Sequence, residues 1–471
     1  MAPSINMHNV SNIYSFFIII LVLRCKDTKK TNKNVGYYIF LCNFAAKFDY
    51  MHKTIIGLLG IALLCSCNKK DDPEPTPEPT VYDRTVLVYM SGENDLTTSG
   101  FMADDLLEMD EGSYQLNDNQ HLIVFIDSVG TTNPPHIIEI AKGKRKVLYQ
   151  YDSEFAASDP SKFREVIQWT IDNYPSKDYG LVLWGHATGW AVDADSVANV
   201  QRTRAYGYDY GYDSYIGRKA MNITQMAKAL EDMPKFKYIF ADCCCFMCVE
   251  SAYELRNAAD YLIGSPAEIP GAGAPYDRIM SSLFSNSNSF YQNICDIYYD
   301  FYLDAYNSST YDYLNLDGYS VPMSAVKLSE MESLAQATNQ ILATISSEIT
   351  SPAVLDLSKL PFYFASTTYT DMKVMYDMSS VFYKYASVSD YTQWLTTYNK
   401  AVPYSLVSTK WQTVYNTLYN SFDSFPDNNA MWGGLSMYFP QQGYDNFNYK
   451  FNTRIKNYQW YYSVNWSKYG W

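Results

Sequence analysis

From residue 82 onward the chain alternates between two hydrophobic patterns. Short apolar runs, mostly β-branched or aromatic and each about the length of a strand, occur at 85–90, 121–126, 180–184, 237–241, 261–264 and 434–439. Between several of them, apolar positions recur at helical spacing, over 161–173, 222–231 and 249–259. Strand–helix alternation of this kind predicts a parallel sheet covered on both faces. Residues 285–425 carry more helix-like spacing and more tyrosine, and read as an added helical region before the last apolar run. The polar segment 191–220 has no sustained period and reads as a long loop.

The first eighty residues follow other rules. Met51-His52-Lys53, an unbroken apolar run and Cys65-Ser66-Cys67 give a positive start, an apolar middle and small residues before a cysteine. That is the layout of a signal peptide over 51–66, and the run is short for a membrane span. Its end resembles a bacterial lipobox, which would make Cys67 the lipidated first residue of the mature chain. Residues 67–81 continue as a polar, proline-rich tether. Its Lys69-Lys70-Asp71-Asp72 resembles the export tag of surface lipoproteins in Bacteroides-like bacteria. A signal peptide belongs at a chain start, so residues 1–50 read as an over-long N-terminal extension. The apolar stretch 16–23 leaves a second membrane segment as the alternative. The expected location is the cell envelope, with the outer membrane as a partner through the lipid.

Composition narrows the chemistry. With a net charge of -14 over 471 residues, the chain is a poor partner for nucleic acid, because phosphate neutralisation needs lysine and arginine. Hydrophobic residues make up 47%, enough for a sizeable core. The 45 tyrosines suit half-exposed surfaces and grooves, or are simply compositional habit. Four of the nine cysteines fall in the first 67 residues, four cluster at 243–248 and one is Cys295. A disulfide framework would spread them along the chain.

In open α/β sheets, ligands sit at the carboxyl ends of strands. Two such ends carry reactive side chains: Gly185-His186-Ala187 and Asp242-Cys243-Cys244-Cys245. A cysteine nucleophile needs a thiolate and a group to handle its proton. Past the tether there are three histidines. His121 opens an apolar strand, His136 follows two prolines, and His186 stands at a strand end close to two glycines. The competing readings are a structural histidine, buried thiols, or a redox or metal role for Cys245-Phe246-Met247-Cys248. A second ligand pair at zinc spacing is absent from the sequence.

These residues carry a resemblance. Arg84 to Leu96, the run Leu181-Val182-Leu183-Trp184-Gly185-His186 with Gly189-Trp190, Asp242-Cys243-Cys244 with Glu250, and Gly434 to Pro440 are similar, in order, to motifs of the clostripain family of cysteine peptidases (C11). The resemblance implies a caspase-like, three-layer α/β/α fold with a mostly parallel sheet. The peptidase domain would occupy 82–471, with 285–425 as a helical insertion. It also implies a Cys–His dyad and cleavage of peptides or proteins after arginine or lysine. The order of His186 before Cys244 agrees with caspases, whose histidine lies about 50 residues upstream. The family spacing Asp-x-Cys assigns the nucleophile to Cys244. Backbone amides at Gly185 and Cys244 would hold the oxyanion, and Asp242 would pair with the basic substrate side chain. Family members need an internal cut between the two motifs, which points to self-cleavage after Arg202 or Arg204. No cofactor or metal ligand set is expected; calcium is left open, since the sequence itself does not show a site for it. Two features depart from the pattern: extra cysteines crowd Cys244, and 266–277 differs from the loop lining the family's pocket. The rival reading is a catalytically inactive, tyrosine-rich surface-binding lipoprotein on the same fold.

Overall fold

Strand-length apolar runs without polar relief can only be satisfied by burial on both faces, and the centre of this molecule is built from such strands. The structure is a computed structural model. It describes residues 81–130, 134–191, 206–209, 219–306, 316–366, 372–413, 423–424, 432–446 and 450–471. The signal segment, Cys67, the tether, Arg202 and Arg204 lie outside the described residues.

Nine strands form the main sheet. In chain order they are β1 (Tyr82–Gly92), β2 (Gln120–Ser128), β3 (His136–Ala141), β4 (Lys144–Gln150), β5 (Ser176–Gly185), then β8 (Phe236–Asp242), β9 (Ala259–Gly264), β10 (Met323–Lys327) and β13 (Tyr404–Leu406). The intervening labels belong to smaller sheets. β6 (Tyr206–Asp209) pairs with β7 (Lys219–Met221). β11 (Phe362–Ser366), β12 (Met372–Asp377) and β16 (Ser436–Met437) form a second sheet, and β14 (Lys410–Trp411) pairs with β15 (Asp423–Ser424).

The spatial order is β13-β10-β9-β8-β5-β1-β2-β3-β4. The central five strands, β9 to β2, pair in parallel. Antiparallel strands extend both edges. The chain runs outward from β1 to β2 in one direction, then returns to place β5, β8 and β9 on the other side of β1. The strand order therefore reverses at β1 and β5, where such sheets leave a crevice at their carboxyl edge.

Alternate residues along each central strand serve opposite faces. Leu87, Tyr89, Leu181, Leu183 and Ile239 pack with Phe163, Val166 and Ile167 of the helix Pro160–Asn173 and with Val249 and Ala252 of Val249–Glu254. Val86, Val88, Val182, Trp184 and Phe240 pack with Met102 and Met109 of Phe101–Gly112, with Ile279 of Tyr276–Leu283, and with Ile294 and Tyr298 of Phe290–Tyr306. Full burial of one aliphatic or aromatic side chain is worth roughly 1.5–3 kcal/mol, so two such layers hold the sheet rigidly. This is the three-layer α/β/α arrangement.

Three regions differ from the sequence reading. Among the described residues, 285–425 hold four helices longer than one turn, Phe290–Tyr306, Met331–Thr344, Met378–Tyr385 and Val388–Ala401, but they also supply β10 and β13 to the main sheet. The apolar run 434–439 yields only the two-residue β16, which pairs with β12 instead of the main sheet. In the main sheet β10 is already paired on both sides, with β9 and β13, and its Ser324 hydroxyl donates to Gly434 O at 2.6 Å. The segment 191–220 contains β6 and β7. Its Gly, Tyr and Asp content hid a hairpin held by Tyr206, whose buried hydroxyl donates to Tyr89 O at 3.2 Å.

At the amino edge of the sheet, Arg84 is buried and bridges sheet to helix layer. Its guanidinium pairs with Asp178 and donates to Leu283 O at 3.2 Å and Ser285 O at 2.7 Å. Arg84→Met would strand those acceptors. We expect a loss of about 2–4 kcal/mol, read as a lower urea midpoint; an unchanged midpoint would show that this bridge adds nothing.

Candidate active site

The parallel register of β5 and β8 sets Trp184 beside Asp242. Two residues further on each strand are His186 and Cys244. Neighbouring strands of one sheet therefore deliver both side chains to the same edge. β5 also borders β1, with Ser91 beside Gly185, so the pair lies next to the crevice where strand order reverses.

The turns beyond the strands touch. Gly189 has φ +53, and a Cβ there would come 2.5 Å from the carbonyl oxygen of Cys245 and 3.1 Å from Cys248 Sγ. Cys245 is itself left-handed, at φ +56. Its N–H donates to Ala267 O at 2.8 Å, and Met247 N–H donates to Ser265 O at 3.1 Å. The cysteine turn is thus laced to residues 265–267 on one side and pressed by the histidine turn on the other.

Burial separates the cysteines. Cys243, Cys245, Cys248 and Cys295 are buried, whereas Cys244 is partly exposed. Burial pushes the Cys243 and Cys245 thiols well up and the Cys248 thiol up to about 12, so these three stay protonated near neutrality. Cys244 Sγ accepts from Ile269 N–H at 3.4 Å. The cluster is therefore one accessible thiol among buried ones. Cys245-Phe246-Met247-Cys248 offers no exposed thiol for redox chemistry.

His186 is buried except for a small face, and its Nε2 lies 2.9 Å from Asp95 Oδ1. Asp95 begins a one-turn helix capped by Asn94, whose side-chain amide donates to Ser91 O at 3.0 Å and Tyr208 O at 2.9 Å. The sequence reading did not assign Asp95 to the site. Its position just after the first strand was legible, but the adjacency of β1 and β5 was not. Among the described residues the other two histidines lie on β2 and β3: His121 Nδ1 is 2.7 Å from Glu139, and His136 Nδ1 is 3.3 Å from Pro134 O.

Asp242 faces the other helix layer. Its Oδ2 accepts from Tyr276 OH at 2.8 Å and Ala274 N–H at 3.2 Å, and its Oδ1 accepts from Tyr298 OH at 3.2 Å. Burial outweighs these donors and raises its pKa to about 6. Asp105, which accepts from the Trp184 indole, is raised to about 9 by burial and then by Asp242. Burial likewise raises Glu108 to about 7. Burial thus raises all three acids in this region above the ordinary carboxylate range. Two further acids lie in the 266–277 segment: Glu268 is buried next to Ile269, and Asp277 is more exposed, 3.8 Å from Arg278.

A caspase-like α/β/α sandwich that brings a histidine and one accessible cysteine to adjoining strand ends has the architecture of a cysteine peptidase. The comparisons agree, and the chain belongs to the clostripain family, whose model matches residues 88–471. Similar solved structures include a secreted C11 cysteine protease from Bacteroides thetaiotaomicron bound to an irreversible peptide inhibitor. It is 28% identical with a TM-score of 0.67, over 82% of this chain and 99% of that one. An inactive zymogen C11 protease from Parabacteroides distasonis is 27% identical with a TM-score of 0.63, over 82% and 99%. Among curated proteins, none matches the chain.

The contact at Gly189 supplies a test. Gly189→Ala adds a methyl against Cys245 O at a φ that disfavours it. The two turns must then part, and small misplacements of reacting groups cost about 10²-fold in rate. We expect peptidase activity to fall by that order while far-UV circular dichroism stays unchanged; wild-type activity would show that the turns need not touch.

Proposed function

We propose that this protein is a secreted, lipid-anchored cysteine endopeptidase that uses Cys244 and His186 to cut after arginine or lysine. The carrying observation is that the one partly exposed cysteine of the cluster follows the end of β8 by two residues, beside the strand end that leads to His186. In this mechanism the Cys244 thiolate attacks the scissile carbonyl and forms the S–C bond. Amides at Gly185 and Cys244 hold the oxyanion. The C–N bond then breaks as His186 protonates the leaving amine, and water attacks the thioester to release the acid and restore the thiol. Asp95, at Nε2, fixes the ring so that Nδ1 exchanges the proton.

Asp242 is the acid proposed to set the preference for a basic residue. The support is electrostatic: Asp105, Glu108 and Asp242 are all raised by burial, and an arriving guanidinium would relieve this. Self-cleavage after Arg202 or Arg204 fits the same site. β6 begins two residues past Arg204, its Tyr206 bridges Ala187, and its Gly207 N–H donates to His186 O at 2.9 Å. The Parabacteroides relative described as an inactive zymogen is consistent with such a step. Secretion accords with the description of the Bacteroides relative, and attachment would run through Cys67.

The direct test is cleavage of an arginine-containing peptide library by the 82–471 fragment. Cys244→Ala is expected to abolish it, whereas Cys243→Ala, Cys245→Ala and Cys248→Ala each retain activity. Equal activity in Cys244→Ala would overturn the assignment. An inactive wild type after cleavage at 202–204 would favour the binding-protein reading.

Acidity gives a second test. Because Asp242 is neutral below about pH 6 and only its charged form attracts a guanidinium, kcat/KM for arginine substrates is expected to rise through about pH 6. Asp242→Asn should remove that limb and weaken arginine cleavage by about 2–5 kcal/mol. A limb that persists would move the role to Glu268 or Asp277.

A further inference from the structure

The turn that carries the histidine is held at three points by three different segments. His186 O accepts from Gly207 N–H of β6 at 2.9 Å. Gly189 lies against the carbonyl oxygen of Cys245. Ala191, whose N–H closes the turn on Thr188 O at 3.1 Å, is held by Arg454. The guanidinium Nη1 of Arg454 donates to Ala191 O at 2.7 Å, from 263 residues further along the chain.

Arginine is rarely buried, because its charge gives up water. Arg454 is nevertheless 7% exposed, on a short helix whose neighbours Phe451 and Ile455 are buried and apolar. The same segment covers Trp190, the residue before Ala191. The indole packs 4.7 Å from the Tyr438 ring, 6.0 Å from Phe451 and 6.4 Å from Tyr458. Apolar packing would be enough to seal this surface. A guanidinium adds an anchor for one carbonyl, and a charge-assisted bond is roughly twice as strong as a neutral one. Residues 438–446 and 450–463 are in turn fixed to Val249–Glu254, the helix that follows the cysteine turn. Tyr438 N–H donates to Glu250 at 2.9 Å, and Gln459 N–H and Nε2 donate to Glu254 at 2.6 and 2.9 Å. Trp460 packs edge-on against Tyr253, with ring centroids 5.5 Å apart. Asn452 ties the segment together: its Oδ1 accepts from Tyr438 OH at 2.6 Å, and its Nδ2 donates to Gln441 O at 2.8 Å. One C-terminal segment thus grips both the helix behind the cysteine and the turn that bears the histidine.

We propose that Arg454 is a positioning residue for the peptidase reaction: it fixes the Ala191 end of the histidine turn and, through it, the placement of His186 against Cys244. This rests on the reading of His186 and Cys244 as the catalytic pair. Two points of contact let a turn pivot about the line that joins them, and a third prevents it. A displacement of about 1 Å at the imidazole is enough to cost about 10²-fold in rate. Arg454 acts through the backbone of the turn, so its contribution falls on the chemical step. It does not reach the acid proposed to bind the substrate side chain, because Asp242 is bonded to Tyr276 and Tyr298 in the opposite helix layer.

Steady-state kinetics of the full chain on an arginyl fluorogenic peptide test this. Arg454→Met keeps the apolar stem and deletes the donor. It is expected to lower kcat by about 10–100-fold while KM stays within about twofold of wild type. Arg454→Lys, which restores one charged donor, should recover part of that loss. Near-UV circular dichroism checks that each variant keeps its native packing. Should Arg454→Met not fold, Arg454→Lys carries the test by itself, with a smaller loss of kcat at constant KM. An unchanged kcat, or a loss confined to KM, would overturn the proposal. His186→Ala and Cys244→Ala separate it from the reading beneath it. If both abolish cleavage and Arg454→Met does not slow it, the role of Arg454 alone falls. If cleavage persists in both, the catalytic pair falls and the role of Arg454 falls with it.

Discussion

Everything at this site depends on the pairing of β5 with β8. Parallel strands in register bring Trp184 beside Asp242, and from there two residues of chain suffice to bring a histidine and a cysteine to one edge. The arrangement holds because both strands are buried between helix layers and cannot slip without moving every side chain to the wrong face. The turns then close by backbone contact, Gly189 against Cys245. The site is built on strand ends fixed by the core, with loops shaping only its last few ångströms.

That same edge divides the charges. Toward one helix layer lie Asp242, Asp105 and Glu108, raised by burial and short of a cation. On the other side of β1 lie Glu93, Asp127 and Asp209. Buried acids cost stability unless positive charge reaches them. Asp242, Asp105 and Glu108 are therefore places where positive charge would relieve a cost to the fold. The four neighbouring cysteines show the converse. Desolvation makes three of them inert thiols and leaves one placed to react.

Much of this was legible in the sequence. The apolar runs at 85–90, 121–126, 180–184, 237–241 and 261–264 became β1, β2, β5, β8 and β9, because short β-branched or aromatic runs favour strands buried on both faces. His186 and Cys244 stood out as reactive groups at strand ends. What could not be read was adjacency. Asp95 reaches His186 only because β1 lies next to β5, and Asp209 joins Glu93 only because β6 folds back on the histidine turn. The hairpin of β6 and β7 was hidden by glycine and tyrosine in place of an apolar run. The helix predicted over 249–259 stops at Glu254, where the chain turns toward β9. In each case the deciding contact comes from a segment distant in sequence.

The central claim, a live Cys244 nucleophile facing a pocket for a basic side chain, is tested most directly with an arginyl peptide chloromethyl ketone. The account predicts one inhibitor added per chain, mapped by tandem mass spectrometry to Cys244 among Cys243, Cys244, Cys245 and Cys248, and lost in His186→Ala. A matched peptide ending in norleucine should react far more slowly. Labelling spread over several cysteines, or equal rates with the arginyl and norleucyl reagents, would contradict it.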